Sequence, residues 1–151
     1  RDEFNLLLGE RTAEDIKIAI GSAYELEEPL ETSMRGRDLI TGLPKEVIVN
    51  DEQIRRALAK SVRKIVSDIK STIEETPPEL VADIMTRGII LAGGGVQLRN
   101  LDHLIYQQTQ IPTHIADDPM TCVVRGTGLV LEDLDALRDV LIPTQLERIP
   151  R

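Results

Sequence analysis

The spacing of apolar positions changes several times along the chain, and each change marks an element. In GERTAEDIKIAIGSAY, residues 9–24, Ala13, Ile16, Ile20 and Ala23 recur at intervals of three and four, which predicts an amphipathic helix. Thr12 followed by Asp15 has the spacing of a capping box at its start. Glu14, Lys17 and Gly21 then fall together on the opposite face, where Glu14 and Lys17 by themselves read as an exposed ion pair. Residues 31–49, ETSMRGRDLITGLPKEVIV, lack a helical period and break at Gly42 and Pro44. Val47 and Val49 alternate onto one face, so the stretch predicts two antiparallel strands. Asn50 caps a long helix to Glu75 with the apolar stripe Ile54, Leu58, Val62, Ile65, Ile69 and Ile73. Thr76, Pro77 and Pro78 stop it, and Pro78 suits the first turn of a short helix through Met85.

GIILA, residues 88–92, predicts a buried strand, and IPTHIA, residues 111–116, a second short strand. Between them Leu98, Leu101, Leu104 and Ile105 restore helical spacing, so the segment predicts a βαβ unit with a parallel strand pair and a right-handed crossover. Ligands of open α/β sheets bind beyond the carboxyl ends of such strands. Gly93, Gly94 and Gly95 stand at that place. Three glycines each sacrifice about 0.5–1 kcal/mol relative to alanine in regular structure, so some backbone requirement offsets them. Two readings remain open: a ligand lying against bare backbone, or a tight corner. The Walker A loop is excluded because no Lys-Ser or Lys-Thr follows, and Leu98 stands where the last glycine of the dinucleotide fingerprint belongs.

Further on, Gly126 and Gly128 lie inside a helical pattern, which predicts close approach of another backbone. Asp117 and Asp118 read as helix caps, and His103 and His114 as surface or strand-end residues. No set of nucleophile, base and orienter is found.

Composition narrows the function classes. The chain of 151 residues has 41% hydrophobic but only 2% aromatic residues, so its core is built from Ile, Leu, Val and Ala, and stacking platforms for single-stranded nucleic acid are nearly absent. The net charge of −8 argues against a nucleic-acid partner, and Arg35/Arg37 and Arg55/Arg56 read as solvated surface. The single cysteine, Cys122, permits no internal disulfide and no metal-ligand spacing, which fits a reducing cytosol. No apolar run is long enough to span a membrane. The chain starts at Arg1 in mid-pattern and is expected to be a fragment of a longer protein.

GERTAEDIKIAIGSAY, RGRDLITGLPK, TPPELVADIMTRGIILAGGGVQLRNLD and IPTHIADDPMTCVVRGTG, in that order, resemble the MreB/Mbl family of bacterial actin homologues. The likeness runs from about Phe4 to Asp133 and leaves out the tail DALRDVLIPTQLERIPR.

The resemblance implies the second lobe of an actin-like ATPase with a ribonuclease H-like α/β fold: a mixed sheet flanked by helices, with a small α+β subdomain. Residues 1–75 would be the small outer subdomain of that lobe (helix, β-hairpin and long helix), 76–133 the nucleotide-side βαβ subdomain, and 134–151 a C-terminal helix and tail. ATP or ADP with Mg2+ would sit between the lobes, with the metal held mainly by the first half. The family's nucleoside contacts match Glu14, Asp15, Ile16 and Lys17 on the first helix, and Gly93, Gly94, Gly95, Val96 and Gln97 at the glycine turn. The phosphate hairpins and the carboxylate that orders the attacking water would precede this chain, so no catalytic residue is named in it.

The family further implies ATP-dependent filaments at the inner face of the cytoplasmic membrane, partnered by other subunits and by the cell-wall elongation machinery, that organise rod shape. Membrane contact would come from parts of the family's first half. Alternatives are a non-polymerising ATPase or phosphotransferase of the superfamily, or an inactive filament paralogue.

Overall fold

The structure, a computed structural model, describes residues 1–133; the helix and tail expected at 134–151 lie outside the described residues. The elements are β1 (Leu6–Leu7), α1 (Glu10–Ile20), β2 (Glu31–Asp38), β3 (Pro44–Asn50), α2 (Asp51–Glu75), α3 (Pro78–Arg87), β4 (Ile89–Leu91), a 3-10 turn (Gly94–Gln97), α4 (Leu101–Thr109), β5 (Thr113–Ile115) and α5 (Cys122–Glu132).

The expected hairpin is present and gains a third strand that periodicity did not reveal. β2 pairs antiparallel with β3, Met34 opposite Val47 and Thr32 opposite Val49, and β1 adds to the outer edge of β2 through Leu6 opposite Asp38. Two residues are too short a run for alternation to register. Asp38 closes the hairpin: its Oδ1 accepts the N–H groups of Ile40 at 2.7 Å and Thr41 at 3.2 Å, and its Oδ2 meets Lys45 Nζ at 3.0 Å.

α1 starts at Glu10 after an extended Gly9, with no side-chain cap. Thr12 is therefore already inside the helix, and the expected Thr12–Asp15 capping box does not form. α2 does carry a capping box: Asn50 Oδ1 accepts the Gln53 N–H at 3.0 Å, and Gln53 Oε1 accepts the Asn50 N–H at 3.1 Å. Along α2 the buried stripe passes from Val62 to Val66, while Ile65 is exposed, because steps of four follow the inward face more closely than steps of three here. Arg55 also departs from the solvated-surface reading. Its Nη1 lies 2.8 Å from Oδ2 of the buried Asp51 and 3.1 Å from Oγ of the fully buried Ser22.

Pro78 opens α3, which continues to Arg87. β4 and β5 pair in parallel, Ile89 opposite Thr113 and Leu91 opposite Ile115, as the βαβ pattern predicts. The crossover helix begins only at Leu101, because Leu98 is extended and Asn100 is left-handed at φ 59°. In α5 the glycines depart from expectation: a Cβ at Gly126 or Gly128 would meet nothing within 4 Å among the described residues. Asp117 and Asp118 do not cap α5 either, since its N-cap is Thr121 and no side chain bonds its first turn; Asp118 Oδ2 instead accepts the Thr121 hydroxyl at 2.6 Å.

Two apolar clusters hold these elements. Leu6, Ile16, Ile20, Met34 and Val49 form the first, between α1 and the antiparallel sheet. Ala23, Val62, Val66, Leu91, Val96, Leu101 and Ile105 form the second, between α2, α4 and the parallel pair. α2 reaches both, with Ile54 packed against the first and Val62 and Val66 inside the second. Fully burying one such aliphatic side chain contributes about 1.5–3 kcal/mol.

Candidate functional site

A cleft of about 460 Å3 opens where α1 faces the end of β4. Glu14, Lys17 and Ile18 of α1 form one wall; Gly94, Gly95, Gln97 and Leu98 form the other. Leu58 of α2 and Met120, from the loop after β5, complete it. The cleft lies beyond the carboxyl end of β4, the position that the strand order favours for ligands.

The helix period brings Glu14 and Lys17 to the same face of α1, away from Ile16 and Ile20, which are anchored in the first cluster. Their charged groups are 3.9 Å apart, a loose contact between two exposed side chains, 64% and 49% accessible. Such a pair adds little to stability and leaves both groups available to a third partner. Gly21 ends the helix, so it does not share that face. A Cβ there would stand 2.3 Å from the Lys17 carbonyl oxygen.

The three glycines of the turn differ in what their surroundings demand of them. Gly93 has φ 94° and ψ 175°, a conformation open essentially to glycine alone, and its N–H bonds the Pro119 carbonyl at 2.7 Å. A Cβ on Gly94 would lie 3.1 Å from the Met120 sulfur. Among the described residues a Cβ on Gly95 would meet nothing within 4 Å, and its φ is not positive, so no described neighbour requires a glycine there. A surface that stays bare without an internal reason suits the approach of a ligand from outside the chain.

Of the sequence-named residues, Glu14, Lys17, Gly94, Gly95 and Gln97 line one cleft. Ile16 and Val96 instead turn into the first and second clusters, Asp15 is exposed off the lining, and Gly93 shapes the turn from behind. Ile18, Leu58, Leu98 and Met120 line the cleft without having been named. Leu58 carried a signal, but as a member of the α2 stripe it read as core; Met120 carried none. Among the described residues, no group of three or more His, Cys, Asp or Glu stands close enough to hold a metal ion. His103 stacks its ring at a tilt on Tyr24, centroids 4.8 Å apart. Among the described residues no helix is long and apolar enough to cross a membrane.

The sequence profile of the family described as MreB/Mbl protein matches residues 1–139. The cell shape-determining protein Mbl of Bacillus subtilis is 46% identical over 135 residues, covering 89% of this chain and 40% of its own length. The cell shape-determining protein MreB of Escherichia coli is 47% identical over 135 residues, covering 89% of this chain and 39% of its own. The crystal structure of MreB5 of Spiroplasma citri bound to ADP superposes with a TM-score of 0.87 at 38% identity, over 92% of this chain and 42% of that one. The same protein bound to AMPPNP gives 0.86, over 93% and 43%. The chain thus spans about 40% of the length of the curated relatives it matches.

Proposed function

Because this chain belongs to the MreB/Mbl family of actin-like proteins, we propose that it supplies the nucleoside-binding lobe of a cytoskeletal ATPase that determines cell shape. The observation that carries this reading is the convergence of Glu14 and Lys17 with Gly94, Gly95 and Gln97 on one cleft at the carboxyl end of β4. Two segments distant in sequence meet there with a polar wall on one side and a bare backbone on the other. The MreB5 structures are bound to ADP or AMPPNP, and in this reading the cleft takes the nucleoside portion of such a ligand.

In this reading Glu14 and Lys17 bond the ribose and base edge, with Asp15 and Ile16 holding the helix around them. Gly94 and Gly95 admit the nucleoside plane, Gln97 reaches its rim, and Gly93 and Val96 fix the turn. ATP, when bound, would supply the phosphoanhydride whose cleavage resets the protein, and its Mg2+ would be held mainly by the family's first half. Residues 1–75 make the outer subdomain, its long helix reaching into the core of the nucleotide-side subdomain at 76–133. Nucleotide closure of the lobes favours self-association into filaments beneath the cytoplasmic membrane, where they organise the cell-wall elongation machinery.

Sedimentation of the full-length protein with Mg2+ and ATP against ADP, with and without liposomes, tests this. Wild-type protein is expected to pellet in ATP. Lys17→Ala and Gly94→Val are each expected to stay folded and to weaken ATP binding about tenfold, the loss of roughly 1.4 kcal/mol. The first removes a contact; the second fills the backbone approach and displaces the Met120 side chain, whose sulfur lies 3.1 Å from a Cβ there. Unchanged affinity in both variants would sink the site assignment; ATP turnover without any polymer would replace the filament with a soluble enzyme of the same superfamily.

A further inference from the structure

The two walls of the cleft are tied together by a residue that does not line it. α1 ends at Ile20, and the last carbonyls of a helix lack donors within it. Arg99, just past the glycine turn, supplies them: its Nη1 donates to the Ile18 carbonyl at 2.9 Å and, more weakly, to the Gly21 carbonyl at 3.4 Å. A cation also suits the negative end of the helix dipole. The backbone of Arg99 makes a second tie, its carbonyl accepting the Ala23 N–H at 2.7 Å within an isolated parallel bridge to Ser22. Asn100 adds a third, donating from Nδ2 to the Glu25 carbonyl at 2.8 Å. Gly21 permits this closeness, since a Cβ there would stand 3.2 Å from Leu98 Cδ1.

We propose that Arg99 is a positioning residue for the nucleoside site, locking the α1 wall that carries Glu14 and Lys17 against the glycine-turn wall. The inference rests on the nucleoside reading of the cleft. Arg99 contributes to affinity by pre-organisation: without its side chain the backbone bridge and the Asn100 bond remain, but the end of α1 at Ile18 and Gly21 loses its tie to the glycine turn, and the ordering of that end is subtracted from the affinity. Its neighbour across the same peptide provides a contrast. Arg55 grips Ser22 from α2, on the side of the hydrophobic clusters, and lines no part of the cleft.

The test compares ADP affinity by calorimetry, and amide exchange without nucleotide, in four forms of the full-length protein: wild type, Arg99→Ala, Lys17→Ala and Asn50→Ala. Arg99→Ala is expected to weaken ADP about tenfold by loss of pre-organisation and to speed exchange at Gly21 and Ala23. Asn50→Ala, which removes the remote α2 cap, is expected to lower the melting temperature by about 3 °C and to bind ADP as wild type does. Wild-type affinity in Arg99→Ala beside a weakened Lys17→Ala overturns the clamp and leaves the site standing. An unchanged Lys17→Ala overturns the site reading itself. A loss in Asn50→Ala as large as that in Arg99→Ala shows that affinity merely follows stability, and also overturns the proposal.

Discussion

The two hydrophobic clusters are built under different rules. The first joins α1 to an antiparallel sheet that keeps one face wet: Glu31, Ser33, Arg35 and Arg37 point outward, and Arg35 pairs with Glu46 at 3.1 Å. Such a sheet is complete with one covered face. The second is centred on a parallel pair, an arrangement that is normally covered on both faces. Here α2 and α4 cover one side, while Ile90, Val123 and Leu129 stand 61%, 77% and 64% exposed. A covered core and a half-covered one share a single helix, so whatever holds α2 holds both.

The largest expected effect strikes the joint between them. Arg55→Met leaves Asp51, the buried first residue of α2, without its guanidinium partner and should cost about 3 kcal/mol. Urea unfolding would show the two clusters failing in one transition; a loss below about 1 kcal/mol would mean that water already screens the pair.

A smaller effect separates the clusters by pH. In the hairpin, the Ile40 N–H, then Lys45 and the Thr41 N–H, hold the Asp38 carboxyl below its ordinary value of 3.8. Burial pushes Asp51 upward, but the Arg55 guanidinium and the Leu30 N–H outweigh it and leave that carboxyl lowered too. A carboxyl lowered on folding stabilises the fold above its unfolded value, and that contribution is lost as pH falls through the folded one. Stability is therefore expected to hold above pH 3.8 and to decline below it. Asp38→Asn should flatten this acid limb and slow the loss of amide protection in the hairpin relative to the rest. An unaltered limb would assign the acid sensitivity to other carboxylates.

The smallest effect sharpens the contrast directly. Because Ile90 is 61% exposed on its face of β4, Ile90→Lys should change the stability of the 151-residue chain by no more than about 0.5 kcal/mol. The same change where further polypeptide covers that face should cost several times more. Equal, large losses in both would show the face to be covered within this chain.

Legibility in the sequence followed the same division. The hairpin, the Asn50 start and proline stop of α2, and the βαβ pairing were readable because each rests on local rules: alternation, a capping side chain, a missing N–H. β1 was not, because its two residues are a strand only by virtue of the edge they meet. For the cleft, periodicity placed Glu14 and Lys17 on one face but left them an ordinary surface pair, and the glycine run could not be told from a tight corner. Family likeness named both segments. It also named Ile16 and Val96, whose side chains the fold turns inward, and it passed over Leu58 and Met120.

By itself the sequence determined what neighbouring residues impose on one another: the hairpin, the span of α2 from Asn50 to the prolines, the βαβ pairing, and a glycine turn at the end of β4. Only the tertiary structure decided that Gly93 answers to its positive φ and Gly94 to Met120, and which face of α1 the turn looks upon. Such contacts depend on the docking of elements far apart in the chain, set by the shared packing of α2 against both clusters and by the reach of Arg99 to the end of α1.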